Sequence, residues 1–289
     1  MKSDRTYRVV YYPDSGQRVY NENRKACGAK LKLDSAIEFI QFVEKKILED
    51  HWSPDAAWGY AKRNNTFGNH IVCTKTIYNY IDLGLIAVKN IDLPMKLRLK
   101  RKTKRVRKNK RILGLSIEER PAEVNQRQEF GHWEIDTVIG NRNKEDQVLL
   151  TLTERKTRHD LVFRASGKTS EAINSIIKQL KKQFRLNFHK VFKSITSDNG
   201  SEFADLSPSV KEVGTTVYFT HPYCSSERGT NERHNGLIRR FIPKGKAIKS
   251  VSDKTIQYAQ DWCNRLPRKI LGYKTPEECF HDELSRLSS

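Results

Sequence analysis

The stretch Gly131-His132-Trp133-Glu134-Ile135-Asp136-Thr137-Val138-Ile139-Gly140 decides the fold. Residues 132–139 read as a strand that stops at Gly140, rich in β-branched and aromatic side chains. An aspartate inside such a strand needs a reason. Desolvating a lone carboxylate is costly, so Asp136 either lies at an exposed edge or is held by a partner or a metal ion. Outward from it, residues 148–153 form a second strand and 160–164 a third, joined by a hairpin-like 155–158. A helix follows, with Ser170 as its cap, a buried stripe of Ala172, Ile173, Ile176, Ile177, Leu180 and Phe184, and Lys178, Lys181 and Lys182 facing out. Residues 191–196 alternate and enter a tight turn at Ser197-Asp198-Asn199-Gly200-Ser201-Glu202-Phe203. A short strand at 216–219 and a helix from about Glu227 to Phe241 come next, and a further helix is broken by Pro267. Three strands, a helix, a strand and further elements are the order of the ribonuclease H-like fold. The expectation is an α/β catalytic domain over residues 126–289, with a mixed five-stranded sheet and flanking helices.

Upstream, residues 34–92 read as a small all-α domain. Asp34 or Ser35 caps a helix with Ile37, Phe39, Ile40, Val43 and Ile47 as its apolar stripe. Ser53-Pro54-Asp55 supplies a cap, a first-position proline and a first-turn acid for a second helix. A third, around residues 73–81, carries Lys75, Thr76 and Asn79 on the side away from Ile77 and Ile81. This is the layout of a helix-turn-helix DNA reader, although a plain helical domain with polar faces has the same pattern. Residues 1–33, mixed and basic with few periodic cues, are expected to be an arm.

Composition points to a polyanionic partner. Fifty-four Lys and Arg against 34 Asp and Glu give the 289-residue chain a formal charge of +20, the footprint of nucleic-acid binding. Between Lys96 and Arg111, eleven of sixteen residues are basic. Self-repulsion makes residues 93–125 an extended linker, and Arg101, Lys104, Arg105, Arg107 and Lys108 are candidates for tracking DNA phosphates. No run of about 18 apolar residues occurs. Five scattered cysteines form no CxxC pair, which argues against a disulfide framework and a Cys-rich zinc site. A soluble cytoplasmic protein is expected.

Asp198 ends a strand that should neighbour the first, and Glu232 sits near a helix start. Carboxylates about 4 Å apart repel by about 4 kcal/mol per pair at an effective dielectric near 20, and divalent cations remove that cost. At these residues the sequence resembles the insertion sequence 30 family of transposases, within the DDE transposases and retroviral-type integrases. The resemblance rests on residues 131–140, on Thr196-Ser197-Asp198-Asn199-Gly200-Ser201-Glu202-Phe203 and on residues 227–245. Sixty-one residues separate the two aspartates, and 33 separate Asp198 from Glu232, similar to the family's catalytic spacing.

The resemblance implies a DDE transposase that binds transposon ends, cleaves their 3' ends and joins the 3'-hydroxyl to target DNA. Asp136, Asp198 and Glu232 would be the catalytic, metal-holding acids, with two magnesium or manganese ions. The partners implied are double-stranded DNA, as terminal inverted repeats and target, and further copies of the chain in a homo-oligomer; the setting implied is the nucleoid of a prokaryote. Arg239, two turns after Glu232, resembles the family's basic residue at that place; it, Arg228 and Lys244 are candidate phosphate contacts. Asn199 should shape the turn at the active site and can donate to a phosphate or sugar. Glu202 is expected to orient that turn or face DNA rather than bind metal. His132 and His234 read as packing or hydrogen-bonding residues. Family members generally carry a further helix-turn-helix region ahead of what are here residues 1–50. Two alternatives stand beside this reading: a transposase-derived, N-terminally truncated DNA-binding regulator without transposition activity, and a ribonuclease H-type nuclease.

Overall fold

The computed structural model describes residues 12–27, 31–93, 113–141, 143, 145–222 and 224–288. Arg101, Lys104, Arg105, Arg107 and Lys108 lie outside the described residues.

Helix α1 (Pro13–Ala26) falls inside the expected arm. Pro at its start, Asp14 in its first turn and Arg24 and Lys25 in its last favour the helix locally, in line with its macrodipole. Residues 12–25 are exposed, so no apolar stripe marks it in the sequence. Helix α2 (Ile37–Leu48) buries Phe39, Ile40, Val43 and Ile47. It is entered through a 3-10 turn, Asp34–Ala36, rather than capped by Asp34 or Ser35, and Ile37 points off the stripe and is exposed. Helix α3 (Pro54–Arg63) begins as its sequence predicts, Ser53 Oγ accepting the Ala56 N–H at 3.1 Å. Helix α4 (Thr74–Asp82) packs Ile77, Tyr80 and Ile81 onto the other two. Its outer side leaves Lys75 and Asn79 exposed and Thr76 half-buried.

The remainder runs β1 (Leu115–Ser116), α5 (Ala122–Gln126), β2 (His132–Ile139), β3 (Val148–Glu154), β4 (Asp160–Ala165), α6 (Ser170–Phe184), α7 (Phe188–Val191), β5 (Ser194–Ser197), α8 (Leu206–Lys211), β6 (Thr216–Phe219), α9 (Gly229–Ile238), α10 (Asp253–Arg265) and α11 (Pro276–Ser288). The sheet order is β1-β6-β5-β2-β3-β4. β2, β3 and β4 form an antiparallel meander, while β5 and β6 run parallel to β2 on its other side. That order and those directions are the ribonuclease H-like fold. The sheet has six strands rather than five, because Leu115 and Ser116 pair in parallel with Tyr218 and Phe219 of β6. The stretch expected as linker is therefore already part of the catalytic sheet at residue 115. The cap of α6 is Thr169, whose Oγ1 accepts the Ala172 N–H, one residue before the expected Ser170.

Alternation along β2 sorts its side chains between two layers. Trp133 and Ile135 face a core with Ile173, Ile177 and Leu180 of α6. Val138 faces a second core with Leu149, Ile238 and Trp262, and this side also receives Glu134 and Asp136. The helical domain docks beside it. Trp262 Nε1 donates to Asp50 O at 2.7 Å, and Arg63 pairs with Glu278 at 2.8 Å. The ring of Tyr273 lies so close to Gly59 that an added Cβ would meet it at 1.9 Å. A side chain at position 59 is therefore incompatible with this docking.

Candidate active site

Glu134 of β2 is in register with Thr196 of the parallel strand β5. Two residues further along each strand stand Asp136 and Asp198, which the register brings abreast at the C-terminal end of β5. Asp136 Oδ1 accepts the Thr137 N–H at 2.9 Å and its Oδ2 accepts from Asn235 Nδ2 at 2.9 Å. Asp198 Oδ1 accepts the Gly200 N–H at 3.0 Å. One guanidinium joins the two carboxylates: Arg228 Nη1 lies 3.2 Å from Asp136 Oδ1, and Nη2 lies 2.8 Å from Asp198 Oδ2. Arg228 also donates from Nη1 to Ile135 O at 3.1 Å. Burial pushes the Asp136 carboxyl up, Arg228 opposes that, and the Asp198 carboxylate adds to it. Burial works against the Arg228 charge, yet the two aspartates hold its pKa above the ordinary arginine value.

Helix α9 lies along the face of β2 and β3 with a polar face inward. Asn231 donates its backbone N–H to Glu134 Oε2 at 2.8 Å and its amide to Glu134 O and Thr151 O. Glu134 is wholly buried, and its other oxygen takes Arg155 Nη1 at 2.6 Å. His234 Nδ1 lies 2.6 Å from Asp160 Oδ2, and Thr153 Oγ1 donates to Asp160 Oδ1 at 2.6 Å. His132 likewise bonds Ser194 and Glu129. Both histidines are hydrogen-bonding residues, as the sequence suggested.

With the inward face set by Asn231, His234 and Asn235, Glu232 is turned aside. At 100° per residue it lies roughly 60° around the helix from Asn235. It is exposed and lines a cleft of about 730 Å³ between α9 and the helical domain, together with Trp52, Tyr78, Arg233, Arg240 and Arg268. The structure thus brings Asp136 and Asp198 together and leaves Glu232 on the flank. Among the described residues, no three His, Cys, Asp or Glu side chains are grouped to hold a metal ion.

The remaining candidates divide by what already occupies them. Asn199 accepts the Leu113 N–H at 3.0 Å and donates to Thr220 O at 2.6 Å. Its amide braces the turn at both ends instead of reaching outward. Arg239 Nη2 donates to Ile139 O at 2.6 Å, and burial lowers its pKa, so it is tied to the end of β2. Lys244 is exposed beyond α9. Glu202 is buried on the other side of β2 from Asp136, accepting from Thr137 Oγ1 at 3.0 Å and pairing with Lys168 at 3.2 Å. Its position fits the turn-orienting role, since its carboxylate packs against Gly200 where a Cβ would come within 2.6 Å of Oε2. Sequence reading missed Asn235 and Asn231. Their signal was the i+3 spacing of Asn235 from Glu232 and the i−4 spacing of Asn231 from Asn235, which put both asparagines on one helix face.

Among the described residues no helix is long and apolar enough to cross a membrane. No family model matches the chain. It is 43% identical over 207 residues to the probable transposase of the insertion-like sequence element IS1161 from Streptococcus salivarius, covering 72% of this chain and 58% of that protein. It is 34% identical over 247 residues to the transposase of IS4351 from Bacteroides fragilis, covering 84% of this chain and 73% of that one. With the InsI transposase of IS30A from Escherichia coli the identity is 30% over 258 residues, covering 85% and 65%. The chain thus spans less than two thirds of the length of the first and third of these relatives. The catalytic core domain of BIV integrase aligns with 55% of this chain and 99% of its own, at 17% identity and a TM-score of 0.42; the sheet order, not that likeness, carries the fold assignment. By its identity to the transposase of IS4351 across 73% of that protein, the chain belongs to the insertion sequence 30 family of transposases.

Proposed function

We propose that the chain cleaves transposon ends at their 3' ends and joins the freed 3'-hydroxyl to target DNA. The observation that carries this reading is the pair Asp136 and Asp198, abreast on parallel strands and already sharing one cation. Two hard carboxylates that accept a common positive charge form a donor set suited to magnesium or manganese. When bound there, such ions would activate the attacking water or hydroxyl and stabilise the leaving oxygen.

The protein's own residues would supply the rest. Asp136 is oriented by Thr137 and Asn235, and Asp198 by Gly200, so both reach the reaction as fixed ligands. Glu232 completes the set from one turn before Asn235. Helix residues three apart are surface neighbours, so a rotamer change carries its longer arm towards Asp136 without moving α9. Lys75, Thr76 and Asn79 on α4 meet duplex DNA, and the +20 charge draws the polyanion in. Arg239 and Lys244 flank the path of the strand beyond α9. Further copies of the chain would hold the second transposon end.

The test is strand transfer from a labelled duplex with a 3'-hydroxyl, in magnesium. Asp198→Asn is expected to abolish joining and to retain duplex binding when metal is withheld. Full joining by this variant would overturn the assignment. One observation favours a second reading, that of a DNA-binding regulator: Glu232 faces the cleft and not the aspartates. Tight duplex binding with no joining by the unaltered chain, on ends taken from the DNA flanking its gene, would support that reading instead.

A further inference from the structure

Arg228 does more than neutralise. Its guanidinium occupies the space between Asp136 Oδ1 and Asp198 Oδ2, the two oxygens that a shared divalent ion would need. A guanidinium and a metal ion cannot both bridge these oxygens, since they compete for the same lone pairs and repel one another. Arg228 is also incompletely held. Among the described residues its Nε is buried without a partner, and beyond the two carboxylates the guanidinium's one hydrogen bond there is to Ile135 O. It ends the 3-10 turn Ser225–Arg228 and is followed by Gly229, where a Cβ would meet nothing within 4 Å. Nothing therefore packs against the backbone at Gly229, the residue next to Arg228. The carboxylates keep partial access to solvent, with Asp136 and Asp198 side chains 24% and 36% exposed. A phosphate arriving at that opening offers the guanidinium a bidentate acceptor, which arginine favours.

We propose that Arg228 is a positioning residue that toggles between the Asp136–Asp198 pair and a DNA phosphate, so that the pair is freed for a divalent cation only when DNA is engaged. The inference rests on the proposed function, because it assumes that this pair holds metal. Linkage then requires reciprocity: DNA tightens metal binding, and metal tightens DNA binding, by the same factor.

The experiment measures Mn2+ binding to the full chain by titration calorimetry, with and without duplex DNA, in the unaltered protein and in Arg228→Gln, Arg228→Lys and Asp136→Asn. Without DNA, Arg228→Gln is expected to bind Mn2+ about tenfold or more tightly than the unaltered protein, a coupling of ordinary size. Duplex DNA should tighten Mn2+ binding to the unaltered protein by a similar factor and leave Arg228→Gln unchanged. Arg228→Lys should fall between them, since a point charge cannot bridge both carboxylates; it also serves as the informative variant if Arg228→Gln does not fold. Asp136→Asn should remove the binding. If Asp136→Asn removes it while Arg228→Gln and Arg228→Lys bind as the unaltered protein does, the toggle is wrong and the metal site stands. If the unaltered protein binds no Mn2+ with or without DNA, the proposed function itself fails.

Discussion

Glu134 is a carboxylate shared by the inward face of α9 and a cluster of buried arginines. It is wholly buried and accepts Arg155 Nη1 at 2.6 Å and the Asn231 N–H at 2.8 Å. Burial pushes Arg120 and Arg158 down to about 10; repulsion from Arg155 adds to this in Arg120, and repulsion from Arg127 and then Arg155 adds to it in Arg158. The Glu134 charge opposes the shift in both. Removing one partner of a buried pair leaves an uncompensated charge and costs about 3–5 kcal/mol. Glu134→Gln keeps the shape and an acceptor for Asn231 but removes that charge. It is therefore expected to lower unfolding free energy by about 3 kcal/mol or more, read from urea unfolding followed by far-ultraviolet circular dichroism. The double variant Glu134→Gln/Arg155→Met removes both charges, so the cycle should show a favourable coupling on the order of 2 kcal/mol between positions 134 and 155. Because Arg120 and Arg158 remain, the double variant should recover only part of the loss. A Glu134→Gln protein within about 0.5 kcal/mol of the unaltered one, the range of a neutral surface change, would refute the claim that this carboxylate holds the cluster together.

Two further outcomes follow from neighbouring features. His159 stacks on Phe280 with centroids 4.1 Å apart, and burial pushes it down to about 4, against an attraction from Asp160. The unfolded chain takes up its proton near pH 6.5 and the folded one near 4, so its contribution is full above pH 6.5 and lost as pH falls towards 4. Between pH 7 and 5 the loss is about 2 kcal/mol, and in His159→Phe the unfolding free energy should vary correspondingly less across that interval; an unchanged pH dependence would remove His159 as its cause. In strand transfer, Glu232→Gln should remove joining. Glu202→Gln should only impair it, because Glu202 lies behind β2 against Thr137 and Lys168; the reverse ranking would exchange their roles.

The alternation of residues 132–136 is legible because successive side chains of a strand point to opposite layers, which puts Trp133 and Ile135 on one face and Glu134 and Asp136 on the other. The position of Asp198 at the end of β5 was equally readable. Its register with Asp136 follows from the pairing of Glu134 with Thr196, which no local pattern encodes. Leu115 and Ser116 escaped notice because two residues paired to β6 carry no periodicity. Arg228 could be named as a basic residue near the site, but a long flexible side chain does not announce whether it turns towards phosphate or towards carboxylate.

The facing of α9 was hidden for a different reason. An apolar-stripe rule assumes that the buried face of a helix is hydrophobic, and here Thr230, Asn231 and His234 are buried alongside Ile238. Each polar group is inward because a strand partner waits for it: Arg158 donates to Thr230, Glu134 accepts from Asn231, and Asp160 meets His234. Buried polar groups must be matched, so the rotation of this helix is specified jointly by α9 and by residues on β2, β4 and the β3–β4 hairpin, between 72 and 97 positions away in the chain. Rotating α9 by one residue would leave Glu134 and Asp160 buried with their helix partners withdrawn, at a cost well above that of reorienting one exposed glutamate. It follows that a change bringing Glu232 to the aspartates proceeds through its side chain and not through the helix.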